Sequence, residues 1–335
     1  MSLTADRTTA VSLESLRAAA RVLDGVAVRT PLLELPDLGA RLGVPVALKC
    51  ELLQPIGAFK IRGAYNAIAR VVEAGGARGV VTQSSGNHGQ ALAFAAARFG
   101  LRAVVVMPAS TPGVKVEGVR RHGGEVVFGG ATRSVEQALR AEAIARDEGL
   151  VMVPPFDHPD VIAGQGTIGL EILEQRPDVR TILVPVSGGG LIAGISVAVA
   201  ALAPDVRVIG VEPAGAAKLT AALAAGAPRT LERTESMADG LLSRSVGLLT
   251  FDILRRVVRE AVTVTEDEIA AAVRYLHYHT DLRPEPSGAV AVAALLAGRV
   301  ALAPAVGAPA GARGAAVAVV SGGNVDPDLY QRLVS

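Results

Sequence analysis

Lys60 lies in the stretch Gly57-Ala58-Phe59-Lys60-Ile61-Arg62-Gly63-Ala64, between an aromatic and an aliphatic residue. Lysines ordinarily keep their ammonium in water. A desolvated one has a lowered pKa and can condense with a carbonyl as a Schiff base. The same stretch also suits a lysine at a helix start with its head in solvent. In Ser84-Ser85-Gly86-Asn87-His88-Gly89, small polar residues sit between an expected strand and an expected helix. They bare backbone N–H groups at a helix N-terminus, where an anion is favoured. A carboxylate or phosphate fits there, as does a plain Ser or Asn cap. Ser187-Gly188-Gly189-Gly190 repeats the setting with three glycines, which let a phosphate approach bare amides or simply make a turn. Ala193 and Gly194 break the Gly-x-Gly-x-x-Gly pattern, so a dinucleotide site is poorly supported. Ser321-Gly322-Gly323-Asn324 follows the last expected strand. A hydroxyl at the C-terminal edge of a parallel sheet points to the ligand crevice, unless the stretch is only a turn. Each pattern is weak alone. Together they offer a nucleophilic lysine, a carboxylate cradle, a phosphate cradle and a hydroxyl for a ring nitrogen. Those are the parts that pyridoxal phosphate and an amino acid require.

The elements that must position these groups read as β-branched runs alternating with Ala-rich helical segments. Strands are expected at 79–82, 103–107, 125–128, 181–186, 206–212 and 315–320, and helices at 89–99, 114–122, 134–148 and 191–203. Thr265 before Glu266, Asp267 and Glu268 is a helix start with a capping box, running to about 278. The strands are continuous apolar runs, which predicts parallel sheets covered by helices on both faces, an α/β fold. Segment 79–150 holds three strand–helix units and is expected as a small domain nested in a larger one made of 1–78 plus 151–335. The stretch 301–313, rich in Ala and Pro, reads as a loop.

A chain of 335 residues, at roughly 150 per domain, suggests two lobes. A net charge of +1 gives no general attraction to nucleic acid or anionic lipid. With 50% hydrophobic and 19% charged residues, a large core is available and disorder is disfavoured. Aromatics are 3% and Trp is absent, so Ala, Val, Leu and Ile must build that core. Cys50, the single cysteine, excludes an intramolecular disulfide or a Cys-based zinc site and reads as a small buried hydrophobe. The uncharged run 181–204 is long enough to span a membrane on paper, but Pro185 and three glycines would leave backbone unsatisfied in lipid. The run 286–298 is too short to span. No apolar stretch follows Asp6 and Arg7, so no signal peptide and a cytoplasmic location are expected.

In motif content, order and spacing the chain resembles the fold-type II (tryptophan synthase β-like) pyridoxal-phosphate family, specifically threonine/serine dehydratases and serine racemase. The resemblance runs from about residue 12 to the end and covers 48–66, 81–94, 161–173, 184–194, 238–240, 262–269, 285–289 and 321–324. It implies two lobes of parallel-type twisted sheets, a homodimer, and a form lacking the C-terminal regulatory domain of biosynthetic threonine dehydratases. By this resemblance Lys60 would carry the Schiff base, and Phe59 would pack on the cofactor ring. Asn87 would bond its 3′-oxygen, and Gly188, Gly189, Gly190 and Leu191 would hold its phosphate. Ser321 would face the pyridine nitrogen, and Ser84, Ser85, Gly86, Asn87 and His88 would hold the substrate carboxylate. Ser85 matches the second acid/base of serine racemase, which dehydratases also carry. The implied activity is an ammonia-lyase turning L-threonine or L-serine into a 2-oxo acid plus ammonia. Rival readings are a racemase, a dehydratase of another β-hydroxy amino acid such as 3-hydroxyaspartate, a β-replacement enzyme, an amino-acid-binding protein that kept the fold, and a nucleotide-binding reductase.

Two departures stand out. Metal-dependent relatives use a glutamate matching Glu212, a carbonyl matching Ala216 and a carboxylate where this chain has Lys218. A hard cation needs oxygen ligands, so no metal site is assigned. Either the Lys218 ammonium replaces the metal charge or it points to solvent. Arg283 and Pro284 stand where relatives have apolar residues. Arg283 either reads a second substrate carboxylate or is solvated. His277 and His279, two apart on a helix, face different sides and do not pair as ligands.

Overall fold

The computed structural model describes residues 11–84, 86–130, 135–302 and 314–335. Among the described residues, ten strands form two sheets. They are β1 (Leu32–Glu34), β2 (Val46–Lys49), β3 (Gly79–Gln83), β4 (Arg102–Met107), β5 (Glu125–Phe128), β6 (Val151–Met152), β7 (Val179–Pro185), β8 (Arg207–Pro213), β9 (Glu260–Val264) and β10 (Ala315–Val319). One sheet has the order β5-β4-β3-β6 and the other β1-β2-β10-β7-β8-β9. Every pairing is parallel except the edge pair, where Leu32 faces Lys49 in an antiparallel register. β1, β2, β6 and β9, of two to five residues each, lie outside the expected strands, because segments this short carry little apolar pattern of their own.

The apolar runs bury on both faces. In β10 all five residues are buried, and they alternate between two cores. Ala316 and Ala318 join Leu48, Leu183 and the helix Pro286–Leu296, while Val317 and Val319 join Ile182, Val184 and the helix Gly190–Leu202. The side-chain period of two sends successive residues to opposite helical layers. A third cluster fills one face of the smaller sheet with Val80, Val105, Met107 and Leu92. Cys50 lies in the first core, 1% exposed, its thiol pushed up to about 11 by burial. No helix among the described residues is long and apolar enough to cross a membrane.

The Thr265 cap has the expected form: Thr265 N donates to Glu268 Oε2 at 2.8 Å and Glu268 N to Thr265 Oγ1 at 3.2 Å. Two helix starts shift in ways that bear on the site. The helix expected from 89 begins at Asn87, with Gly86 as N-cap. The helix expected from 191 begins at Gly190 behind Gly189. Apolar periodicity sees the core-facing stripe and misses a polar or glycine first turn. Most of the expected 301–313 loop lies outside the described residues.

Candidate active site

Three parallel strands end at one place. The turn after β3 carries Ser84 to His88, the turn after β7 carries Ser187 to Gly190, and the turn after β10 carries Ser321. A fourth segment joins them: Phe59 N donates to Ser321 O at 3.1 Å, and Ala58 bridges Gly322. A cavity of about 370 Å³ results, lined among others by Phe59, Lys60, Ser84, Gly86, Asn87, His88, Gly188, Gly189, Gly190, Leu191 and Ser321. Ligands of open parallel sheets bind beyond the C-terminal strand ends, where this cavity lies. Ser85 lies outside the described residues.

Lys60 opens the helix Lys60–Ala74, so one part of the helix-start reading holds, but its head does not reach bulk water. The side chain is half-buried and lines the cavity, with Nζ 5.0 Å from the Phe59 ring centre. Nζ donates to Pro155 O at 2.7 Å, and burial pushes its pKa down to about 8. No carboxylate offsets that desolvation, so the neutral amine is accessible near physiological pH.

The two helix starts are the places where an anion could be held. Gly189, the N-cap of Gly190–Leu202, has φ +96°, and a Cβ on Gly188 would come within 2.3 Å of the Phe156 ring. Only glycines fit this turn, and its first N–H groups have no partner inside the helix. At the other cradle, Ser84 Oγ accepts from Gly86 N at 3.2 Å and Gly89 N at 3.1 Å. His88 is buried, its Nε2 3.0 Å from Val153 O. Burial and the nearby Lys60 charge push its pKa down to about 3, so the ring is neutral. Since Val153 O only accepts, Nε2 carries the proton. His88 therefore offers an anion its main-chain N–H, not a cationic ring.

Asn87 is oriented from both ends of its amide. Its Oδ1 accepts from Asn324 Nδ2 at 2.9 Å, and its Nδ2 donates to Glu285 Oε1 at 2.7 Å. Glu285 is raised to about 7, first by burial and further by Asp239. Lys115 and Asp239 form an ion pair that joins the helix Gly113–Arg121 to the loop beside Gly240, and both Lys115 and Gly240 line the cavity. Sequence reasoning missed Lys115, Glu285, Asn324 and Phe156 as site residues. Lys115 lies in a segment that reads as a solvated amphipathic helix, and nothing local marks it.

Behind Lys60, Arg62 is 1% exposed and bidentate to Glu51, with Nε–Oε2 and Nη2–Oε1 both 2.8 Å. It also donates to Glu171 at 2.6 Å, and Lys49 donates to the same carboxylate at 2.5 Å. Burial alone would raise the Glu51 pKa, but Arg62 outweighs it and holds the carboxyl below its ordinary value. The cluster anchors the first turn of the lysine's helix.

Other expectations resolve individually. Arg283 is exposed and stacks on Tyr330 at 4.5 Å; it does not line the cavity, so the second-carboxylate role loses its residue. His277 bonds Tyr330 while His279 stacks on Tyr275, facing apart. Glu212, Ala216 and Lys218 meet outside the cavity lining, and Lys218 is buried rather than solvated. Among the described residues no group of three His, Cys, Asp or Glu could hold a metal ion.

Residues 23–322 match the family described as pyridoxal-phosphate dependent enzyme. An L-threonine ammonia-lyase of Geobacter sulfurreducens is 45% identical over 89% of this chain and 72% of its own length. Another, of Thermotoga maritima, is 42% identical over 97% of this chain and 78% of its own. A solved maize serine racemase is 36% identical, with a TM-score of 0.88 over 97% of each chain. The glycine cradle behind a helix start and the cavity-facing lysine are what such a cofactor needs, and with the match across most of its length the chain belongs to the pyridoxal-phosphate dependent enzymes.

Proposed function

We propose that the chain is an ammonia-lyase that converts a β-hydroxy amino acid, L-threonine or L-serine, to a 2-oxo acid and ammonia. The observation that carries this reading is Lys60, a cavity-facing amine with a pKa of about 8 between two anion cradles. The relatives named L-threonine ammonia-lyase, at 42% and 45% identity, support the reaction class.

In this reading Gly188, Gly189, Gly190 and Leu191 hold the cofactor phosphate with main-chain N–H groups, aided by the helix dipole. Phe59 packs against the ring, Asn87 bonds its 3′-oxygen, and Ser321 faces its nitrogen. When bound, pyridoxal phosphate supplies an electron sink that acidifies the substrate α-carbon. A serine at the ring nitrogen stabilises no pyridinium, which suits elimination over a long-lived carbanion. The N–H groups of Asn87 and His88, with the hydroxyls of Ser84 and Ser85, hold the substrate carboxylate, and Gly86 shapes the turn by donating to Ser84 Oγ. Lys60 Nζ, neutral in part at pH 7, takes the α-proton as general base. The β-hydroxyl takes up a proton and departs as water, and the released enamine tautomerises to an imine that a second water hydrolyses to the oxo acid and ammonia. A second reading, amino-acid racemisation, is favoured by the likeness to maize serine racemase.

The test incubates the pure protein with a panel of β-hydroxy amino acids, 3-hydroxyaspartate included, and measures oxo acid, ammonia and enantiomer ratio. Oxo acid and ammonia should form in equal amounts from threonine or serine. Inversion of the substrate without ammonia would transfer the assignment to racemisation. Unchanged turnover by Lys60→Ala would sink the mechanism. The reading includes a homodimer, checked by light scattering.

A further inference from the structure

The buried triangle of Glu212, Ala216 and Lys218 does not fit a divalent metal. Lys218 is 0% exposed, and its Nζ donates to Val186 O at 2.8 Å, Ala216 O at 2.8 Å and Leu241 O at 2.9 Å. Glu212 Oε1 lies 3.4 Å from the same nitrogen. Three ammonium hydrogens meet three carbonyls, and a carboxylate balances the charge. A hard cation would need those same oxygens, and the ammonium already holds them.

The cage is connected to the site. Val186 directly precedes the Ser187–Gly190 turn, and Leu241 lines the cavity next to Gly240. Glu212 in turn accepts from Leu219 N at 2.8 Å and from Thr220 N and Oγ1, both at 2.9 Å, at the start of the helix Lys218–Ala225. One ammonium thus pulls together the end of β7, the turn after β8 and the loop 239–241. A neutral side chain of equal length would leave three buried carbonyls without this donor and the buried Glu212 carboxylate without its counter-charge, a strongly destabilising state.

We propose that Lys218 is a covalently built-in cation: its ammonium does the charge-balancing and loop-positioning work of a bound divalent ion, and the enzyme is therefore indifferent to such ions. Lys218 is a positioning residue that touches neither substrate nor cofactor.

The test compares the holoenzyme and its variants in EDTA and in excess Mg²⁺ or Mn²⁺. It reads the melting curve and the retention of pyridoxal phosphate on dialysis, as well as turnover. The wild type should give the same melting temperature and turnover in both conditions. Lys218→Met should melt lower by on the order of 5–10 °C and lose cofactor faster, with no rescue by metal. Lys218→Asp should be weakened likewise in EDTA and regain melting temperature and cofactor retention with Mg²⁺ or Mn²⁺. A wild type that loses stability or turnover in EDTA and regains it with Mg²⁺ overturns the proposal. So does a Lys218→Met as stable and cofactor-retentive as the wild type. Melting reads the cage whatever the substrate, so failure of the ammonia-lyase reading would leave this result separate.

Discussion

Lys60 and Lys218 are both desolvated, and burial lowers both to a pKa of about 8. Their surroundings nevertheless give them opposite characters. Lys60 has a single acceptor among the described residues, Pro155 O, and faces a cavity of about 370 Å³. Lys218 has three carbonyls and a carboxylate around it and is not among the residues lining that cavity. A lysine becomes a nucleophile when burial is left uncompensated and space is open beside it. It becomes a structural cation when every hydrogen finds an oxygen. A lowered pKa alone does not separate the two; the oxygen count and the open side do.

That contrast can be tested from its strongest consequence downward. Lys60→Ala should lower turnover by about 10²–10⁴-fold through loss of a general base alone, while the fold, read by circular dichroism, stays intact. Arg62→Met, behind Lys60, should cost about 3–5 kcal/mol in chemical denaturation, because Glu51 is left buried without its bidentate partner. An undiminished midpoint would mean that the cluster relaxes or hydrates. Glu285, beside Asn87, provides a pH signature. Its folded pKa of about 7 lies above its unfolded value, so the folded state binds the extra proton. Stability should therefore fall as pH rises from about 4.5 to 7, by up to about 3 kcal/mol, and level off above. Glu285→Gln should flatten that slope. Finally, capture of pyridoxal phosphate by apoprotein, trapped with borohydride and mapped by mass spectrometry, should label Lys60 and not Lys218. Its rate should climb with pH and level near 8, since only the neutral amine attacks. Equal labelling of both lysines would erase the distinction.

Much of the site could be read locally. The glycines at 188 to 190, the small polar run at 84 to 89 and Ser321 each follow an apolar strand, so their place at strand ends was implied by the run that precedes them. Lys60 was marked by its apolar neighbours. The helix starts at Asn87 and Gly190 were harder, because caps break the apolar periodicity. The edge strand Leu32–Glu34 was illegible for a similar reason: it is three residues long and only partly buried.

The sequence alone determined the α/β class and the parallel sheets, and it singled out the lysine and the glycine and serine turns that the fold brings to one cavity, because strand burial and turn chemistry are properties of short segments. Only the tertiary structure decided what Lys115, Glu285 and Lys218 do. Each has a partner distant in sequence: Asp239 is 124 residues from Lys115, Asn87 is 198 from Glu285 and Val186 is 32 from Lys218, which also bonds the nearby Ala216. Long-range contacts among buried charges leave no local pattern, since any lysine in an amphipathic segment reads as solvated until the chain folds over it.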